Sequence, residues 1–303
     1  MSDMLTIKKG IDVELNVESL AFGGMGIAYL NNIVTFVKNA IPGQKVNARI
    51  TKKRSSYLEA RCLSVISESP YHVDAKCEHF HDCGGCTFQN LEYSKQIMAK
   101  ELQVKDVFNR IGGFDEINCE PIVICDEIFH YRNKMEFTFS NKEYIPENEK
   151  DREAKDIALG LHAPGRWDKI LEINSCHIQS KIANDIFCII KEYSKNLEPY
   201  DIRLHTGFMR NVIIRVGEKT NEVMVNFVTA REDINVLSPL VKILIKKFPS
   251  ISSMVNNITS SKSGVSHGEK QIVLHGEGYL VEALGDYEFM VSADSFFQTN
   301  TRQ

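Results

Sequence analysis

The densest chemistry in this 303-residue sequence lies between Cys77 and Cys86. Cys77, Cys83 and Cys86 stand there as C-x5-C-x2-C, with Gly84 and Gly85 between the last two. Three thiols this close can converge on one metal centre, and glycine lets the backbone wrap tightly and aim N–H groups at sulfur. A [4Fe–4S] cluster needs a fourth thiolate from elsewhere in the chain. Zinc accepts the same set and would also take His79 or His81 as its fourth ligand. Spacing alone leaves both metals open, with zinc ahead. The eight cysteines are an even number, but a chain this long needs no disulfide framework. The N-terminal segment also lacks the apolar stretch of a secretory signal, so the expected compartment is the cytoplasm.

Other chemistry is carried by cations and aromatics. The chain as a whole has a net charge of −4, which speaks weakly against a nucleic-acid partner. The distribution says otherwise. Between Lys38 and Arg61 stand Lys38, Lys45, Arg49, Lys52, Lys53, Arg54 and Arg61 against the single acid Glu59, or +6 in 24 residues. Such a run is either a solvated strand face or a phosphate-binding surface, with Lys52, Lys53 and Arg54 at its centre. Tyr131, Arg132 and Lys134 place an aromatic ring beside two cations, a set that can stack on bases and pair with phosphates. His205 and Arg210 bracket Gly207. Near the end, Phe296-Phe297-Gln298 joins two rings to a neutral amide that can both donate and accept. Residues 143–156 are hydrophilic and read as an exposed loop.

The elements that must hold these residues follow from hydropathy. Ile11, Val13, Leu15 and Val17 alternate with polar residues, as expected for a half-buried strand. Short apolar runs at 27–30 and 33–37 flank Asn31-Asn32, a tight-hairpin signal. Alternation returns at 46–50 and 58–66. Five short strands with glycines at the corners predict a small closed barrel of the oligonucleotide-binding kind. Apolar residues at Ile97, Val104, Phe108 and Ile111 predict a helix over 91–111, and further helices are predicted at 177–193 and 234–248. Strands are predicted at 121–125, 134–140, 157–162, 202–206, 212–216, 223–229, 271–275 and 287–291. This strand-rich mixture predicts an α+β domain after the barrel. Cys62, Cys119, Cys125 and Cys188 fall in apolar contexts and are expected in the core.

Several segments together resemble one family. Cys77 to Gln89 looks like the iron–sulfur segment of the 23S rRNA (uracil-5-)-methyltransferases, and residues 4–66, with Ser19-Leu20-Ala21-Phe22-Gly23-Gly24, look like their TRAM domain. Tyr131-Arg132-Asn133-Lys134, Ile173-Asn174-Ser175-Cys176-His177, His205 to Arg210 and Phe296 to Asn300 match further family segments in order. The resemblance implies a [4Fe–4S] cluster on Cys77, Cys83, Cys86 and Cys176, with a structural role. It implies S-adenosyl-L-methionine as methyl donor, contacted by Gln298, with Phe296 near the RNA. Contacts to 23S ribosomal RNA are implied for Lys52, Lys53, Arg54, Tyr131, Arg132 and Lys134. The family reaction is methyl transfer to C5 of a flipped-out uridine: a cysteine thiolate adds to C6, C5 attacks the sulfonium methyl, and a carboxylate takes the C5 proton.

The resemblance also sets an expected layout. Residues 1–67 are a TRAM-like barrel and 68–292 a central α+β iron–sulfur domain, with the helix 91–111 free to pack on a further domain. Residues 293–303 open a Rossmann-like methyltransferase domain that is otherwise absent. The nucleophilic Cys and the base Glu are then expected in about 150 further residues, one ordinary domain, and the chain alone is expected to be inactive. Two other classes compete with this reading. One is a non-catalytic RNA-binding module, and the other a zinc or iron–sulfur protein unrelated to RNA.

Overall fold

The structure, a computed structural model, describes residues 7–262 and 268–303. Residues 1–6 of the expected barrel and 263–267 of the expected central domain lie outside the described residues. The chain divides into two compact units, Met1–His81 with Cys86–Ile124, and Asp82–Gly85 with Cys125–Gln303.

The first unit is built on a six-stranded sheet. Its strands are β1 (Asp12–Asn16), β2 (Ser19–Leu20), β3 (Gly26–Leu30), β4 (Ile33–Lys38), β5 (Lys45–Lys53) and β6 (Tyr57–Ser67). They pair in the order β1-β5-β6-β4-β3-β2. The two ends of that order, β1 and β2, are joined in sequence by Val17 and Glu18 alone, so the sheet rolls up on itself. Leu15, Val17, Ala28, Val37, Val46, Ala48, Ile50, Leu58 and Ala60 fill the interior, all but the linker residue Val17 supplied by inward positions of the strands. Asn31 and Asn32 form the two-residue β3–β4 turn with φ of 51° and 64°. Such turns demand the left-handed region at both positions, which Asn tolerates and branched residues do not. Helix α1 (Tyr93–Arg110) belongs to this unit. Gln103 fastens it by donating to the carbonyls of Leu20 and Ala21, while Met98, Leu102, Phe108 and Ile111 are exposed.

The second unit holds a seven-stranded sheet ordered β13-β12-β11-β10-β7-β8-β9. The strands are β7 (Lys134–Ser140), β8 (Ala158–His162), β9 (Ile170–Glu172), β10 (Met209–Val216), β11 (Val223–Thr229), β12 (Ile251–Ile258) and β13 (Lys270–His275). Helices α2 (Lys181–Tyr193) and α3 (Ile234–Lys247) start at side-chain caps, Ser180 and Asp233. Helix α2 buries Ala183, Ile186, Phe187 and Ile190, with Phe187 against Phe137 of β7 at 4.2 Å. β11 runs through α3 into the parallel β12, and β10 and β11 are buried along their whole length. A hairpin of β14 (Tyr279–Leu284) and β15 (Tyr287–Ser292) packs Leu280 and Val291 on Met224 and Val255.

Several elements differ from expectation. Residues 121–125 form no strand: Val123 and Ile124 are exposed, and the Ile122 N–H donates to the Glu101 carboxylate instead of to a neighbouring strand. Residues 202–206 form a turn. The Asp201 carboxylate accepts from the N–H groups of Arg203 and Leu204, and this local satisfaction outcompetes a ladder. β12 carried no apolar signal because Ser253, Asn256 and Asn257 interrupt it. They are buried yet bonded, Asn256 donating to the Phe227 carbonyl at 2.9 Å and Asn257 to Asp294 at 2.8 Å. Residues 293–303 fall within the second unit.

The β3–β4 turn yields a direct test. Asn32→Val forces a branched side chain to positive φ and is expected to cost the first unit about 1–3 kcal/mol, read as a lower urea midpoint.

Candidate functional site

The Tyr131–Lys134 segment and the Phe296–Asn300 segment meet through Asn133, whose bond to Gln298 spans 165 residues. Asn133 is 5% exposed. Its backbone N–H donates to the Thr299 carbonyl at 2.9 Å. Its side-chain Nδ2 donates to the Gln298 carbonyl at 2.7 Å and to Thr301 Oγ1 at 2.8 Å. Thr301 in turn reaches Glu282, whose carboxylate accepts the N–H groups of Glu218 and Lys219 in the β10–β11 turn. Arg215 adds a bond to the Ser295 carbonyl at 2.7 Å. The pinned segment then alternates. Phe297 packs on the Val291–Ala293 cluster, edge-to-face with Phe289 at 5.8 Å, whereas Phe296, 83% exposed, and Gln298 face out.

Lys134 opposes Arg215 directly across β7 and β10. Burial first, then the Arg215 charge, hold the Lys134 ammonium below its ordinary pKa, against a pull upward from Glu136. Arg132 is fixed by donating its Nε to the Lys134 carbonyl at 2.9 Å, and it lines a cleft of about 1440 Å³ within the second unit. The cleft is strongly cationic. Arg132, Arg166, Arg203, Arg210 and Lys262 line it against one carboxylate, Glu136, and Trp167 and His205 stand in its wall. Arg210 is buried, stacked on Tyr200 at 4.5 Å and bonded to the Thr259 and Ser261 carbonyls.

Three of the seven cations in the basic run of the first unit are answered by acids. β1 lies beside β5 so that Asp12 opposes Arg49, and these two form a two-point ion pair at 2.7 and 2.8 Å. That pairing holds the Asp12 carboxyl below its ordinary range. Lys45 pairs with Glu14 and Lys52 with Glu59, each at 2.6 Å. The Lys52 pKa is raised, chiefly by the Glu59 bond. Lys53 donates to the Ile7 carbonyl. Lys38, Arg54 and Arg61 are exposed without an acid partner among the described residues.

The four expected cluster ligands fall two to each unit: Cys77 and Cys86 in the first, Cys83 and Cys176 in the second. The donor chemistry suits a cluster in one respect, since the Gly85 N–H points at Cys83 Sγ at 3.3 Å. Cys176 is buried and held from both sides by the Asn184 amide, which accepts from its N–H at 2.8 Å and donates to its carbonyl at 3.0 Å. As arranged, however, no group of three or more His, Cys, Asp or Glu side chains among the described residues could hold a metal ion. Of the cysteines expected in the core, Cys62 is half-buried, with its thiol pKa pushed up by that burial. Cys119 and Cys125 are half-buried, and Cys188 is exposed on α2. Sequence reading missed Trp167, Arg166 and Arg203 because no periodicity or motif marks their loops. No helix among the described residues is long and apolar enough to cross a membrane.

Comparison with known proteins decides the character of the barrel, through a family match over residues 8–63. It is a TRAM domain. Beyond it, the chain is similar to an RNA methyltransferase of Chlorobaculum tepidum, 38% identical over 269 residues, covering 86% of this chain and 56% of the relative. An RNA methyltransferase of Porphyromonas gingivalis is 34% identical, covering 95% of this chain and 64% of its own. Among solved structures, the Pyrococcus abyssi tRNA (uracil-54, C5)-methyltransferase, in complex with S-adenosyl-L-homocysteine, is 25% identical with a TM-score of 0.68 over 95% of this chain and 62% of that one. The chain thus resembles RNA methyltransferases along nearly its whole length and spans somewhat over half the length of the curated relatives it matches. That continuous match overturns the expected fold class, a barrel and a cluster domain with the methyltransferase domain absent but for its first residues.

The Asn133 clamp can be tested apart from any activity. Asn133→Ala removes both Nδ2 bonds and is expected to cost about 1–3 kcal/mol, with faster hydrogen exchange confined to residues 296–302. Unchanged exchange there would show that the clamp does not hold the segment.

Proposed function

We propose that the protein is an RNA methyltransferase that transfers a methyl group from S-adenosyl-L-methionine to C5 of a uridine. The observation that carries this reading is the similarity to RNA methyltransferases over 86–95% of the chain. The Asn133-pinned segment gives it a structural basis. Gln298 holds an exposed, neutral amide suited to polar contact with the methyl donor. Phe296 beside it offers an exposed ring on which a base can stack. S-adenosyl-L-methionine supplies the methyl on its sulfonium. The chain's own part is to bind the RNA by its cations, through Arg132 and Lys134 in the second unit and Lys52, Lys53 and Arg54 in the TRAM domain with Tyr131 as an aromatic partner, and to hold Phe296 and Gln298 fixed.

23S ribosomal RNA is the substrate favoured by the motif set. Transfer RNA is a second reading, favoured by the substrate of the Pyrococcus abyssi neighbour. The proposal extends to a structural [4Fe–4S] cluster on Cys77, Cys83, Cys86 and Cys176, for which thiolate donors and the Gly85 amide speak.

Two measurements check these readings. Deleting the gene and analysing nucleosides of the ribosomal and transfer RNA fractions separately should show loss of 5-methyluridine from 23S RNA. Loss from transfer RNA alone would shift the substrate, and no loss in either would overturn the function. Anaerobically purified protein should carry about four irons and four sulfides per chain, falling sharply in Cys176→Ser. Stoichiometric zinc in their place would overturn the cluster.

A further inference from the structure

From the cleft of the second unit we infer a base-stacking platform for single-stranded RNA at Trp167, with Arg166 and Arg203, which line the same cleft, holding the strand's phosphates. The inference rests on the RNA-binding reading above and assigns the site where an unpaired strand lies.

Trp167 is the only tryptophan of the chain, and it is 66% exposed. A large ring left in water needs a reason, because burial of an indole is strongly favourable. Its loop is not loose. Between β8 and β9, the Ala163 N–H donates to the Lys169 carbonyl at 2.9 Å and the Arg166 N–H to the Ala163 carbonyl at 3.0 Å. Gly165 turns the chain at a φ of +71°. From below, the Gly84 N–H donates to the His162 carbonyl at 3.0 Å, and a Cβ at Gly84 would come within 2.9 Å of that oxygen. The indole is therefore displayed on a braced turn.

The flanking cations are arranged by one carboxylate. Asp168 accepts from Arg203 and pairs with Arg166 at 3.5 Å. Its side chain is 10% exposed, while the two guanidinium side chains are 54% and 64% exposed. The acid is covered and the cations face water, so Asp168 positions them without presenting its own charge to a ligand. Arg203 sits on the Asp201-capped turn, itself fixed by the Asn141 amide at 2.6 Å. A guanidinium keeps further N–H donors after one such pairing, and these suit phosphate oxygens. An exposed ring with two preset cations in the same cationic cleft is the arrangement that binds a strand by stacking and backbone pairing together. A duplex offers no open base face, which selects the single strand.

The experiment uses the whole chain and a fluorescein-labelled oligouridylate of about ten nucleotides, within the span of one single-strand groove. Since Trp167 is the sole indole, its fluorescence should be quenched as the oligomer saturates. By anisotropy, Trp167→Ala should weaken binding about tenfold and Trp167→Phe by less than about threefold, with far-ultraviolet circular dichroism unchanged. The Ala variant should keep the salt dependence, whereas Arg166→Ala with Arg203→Ala should flatten it by about 0.7 in log–log slope for each phosphate lost. Salt-dependent binding without quenching, and with Trp167→Ala as tight as the parent, would overturn the platform and leave the RNA-binding reading standing. Equal affinity for a duplex competitor would overturn the single-strand assignment. Absence of binding at low salt would sink both.

Discussion

The buried amide of Asn133 is the constraint on which the second unit's candidate site depends. An amide taken out of water must find partners or cost free energy, and the Asn133 Nδ2 finds them on a segment far along the sequence, at Gln298 and Thr301. Through Thr301 the bonds continue to Glu282 and the β10–β11 turn. Bonds linked in this way polarise one another and fix a single geometry more firmly than the same bonds apart. The consequence is specific: Phe297 packs into the apolar cluster, while Phe296 and Gln298 on either side of it are exposed. One aromatic ring and one neutral amide are thus held side by side with little conformational freedom left to lose on binding.

Charge is handled differently in the two units. In the TRAM domain the cations of β5 face acids of β1 and β6, which leaves a surface of mixed sign in which Lys38, Arg54 and Arg61 lack acid partners among the described residues. In the second unit the cleft gathers cations against a single lining acid, and its one internal carboxylate pairing, at Asp168, is tucked beneath the guanidiniums it orients. Exposed ion pairs contribute little stability, so the significance of both patterns lies in what field each unit presents to a polyanion.

Much of the fold was legible in the residues. Alternation marked β1, β5 and β6, apolar runs around Asn31-Asn32 marked β3, β4 and their hairpin, and apolar steps along one face marked α2 and α3. What escaped has identifiable causes. β12 hides behind Ser253, Asn256 and Asn257, whose polarity is neutralised only by partners on β11 and beyond. The run at 121–125 has strand-like side chains but no neighbour to pair with, and Asp201 diverts 202–206 into a turn.

The sequence by itself determined local periodicity, the turn chemistry and the presence of a thiol-rich motif, because each of these depends on side chains within a few residues of one another. It also carried the ordered segments that resemble RNA methyltransferases. Tertiary structure alone decided which charges survive and which residues share a surface. The +6 run lost two charges of its excess because register brings Asp12 and Glu14 alongside it from more than thirty residues away. The Trp167 cleft exists only because two loops, from 163–169 and 201–207, are folded against one sheet, and no spacing along the chain encodes that meeting.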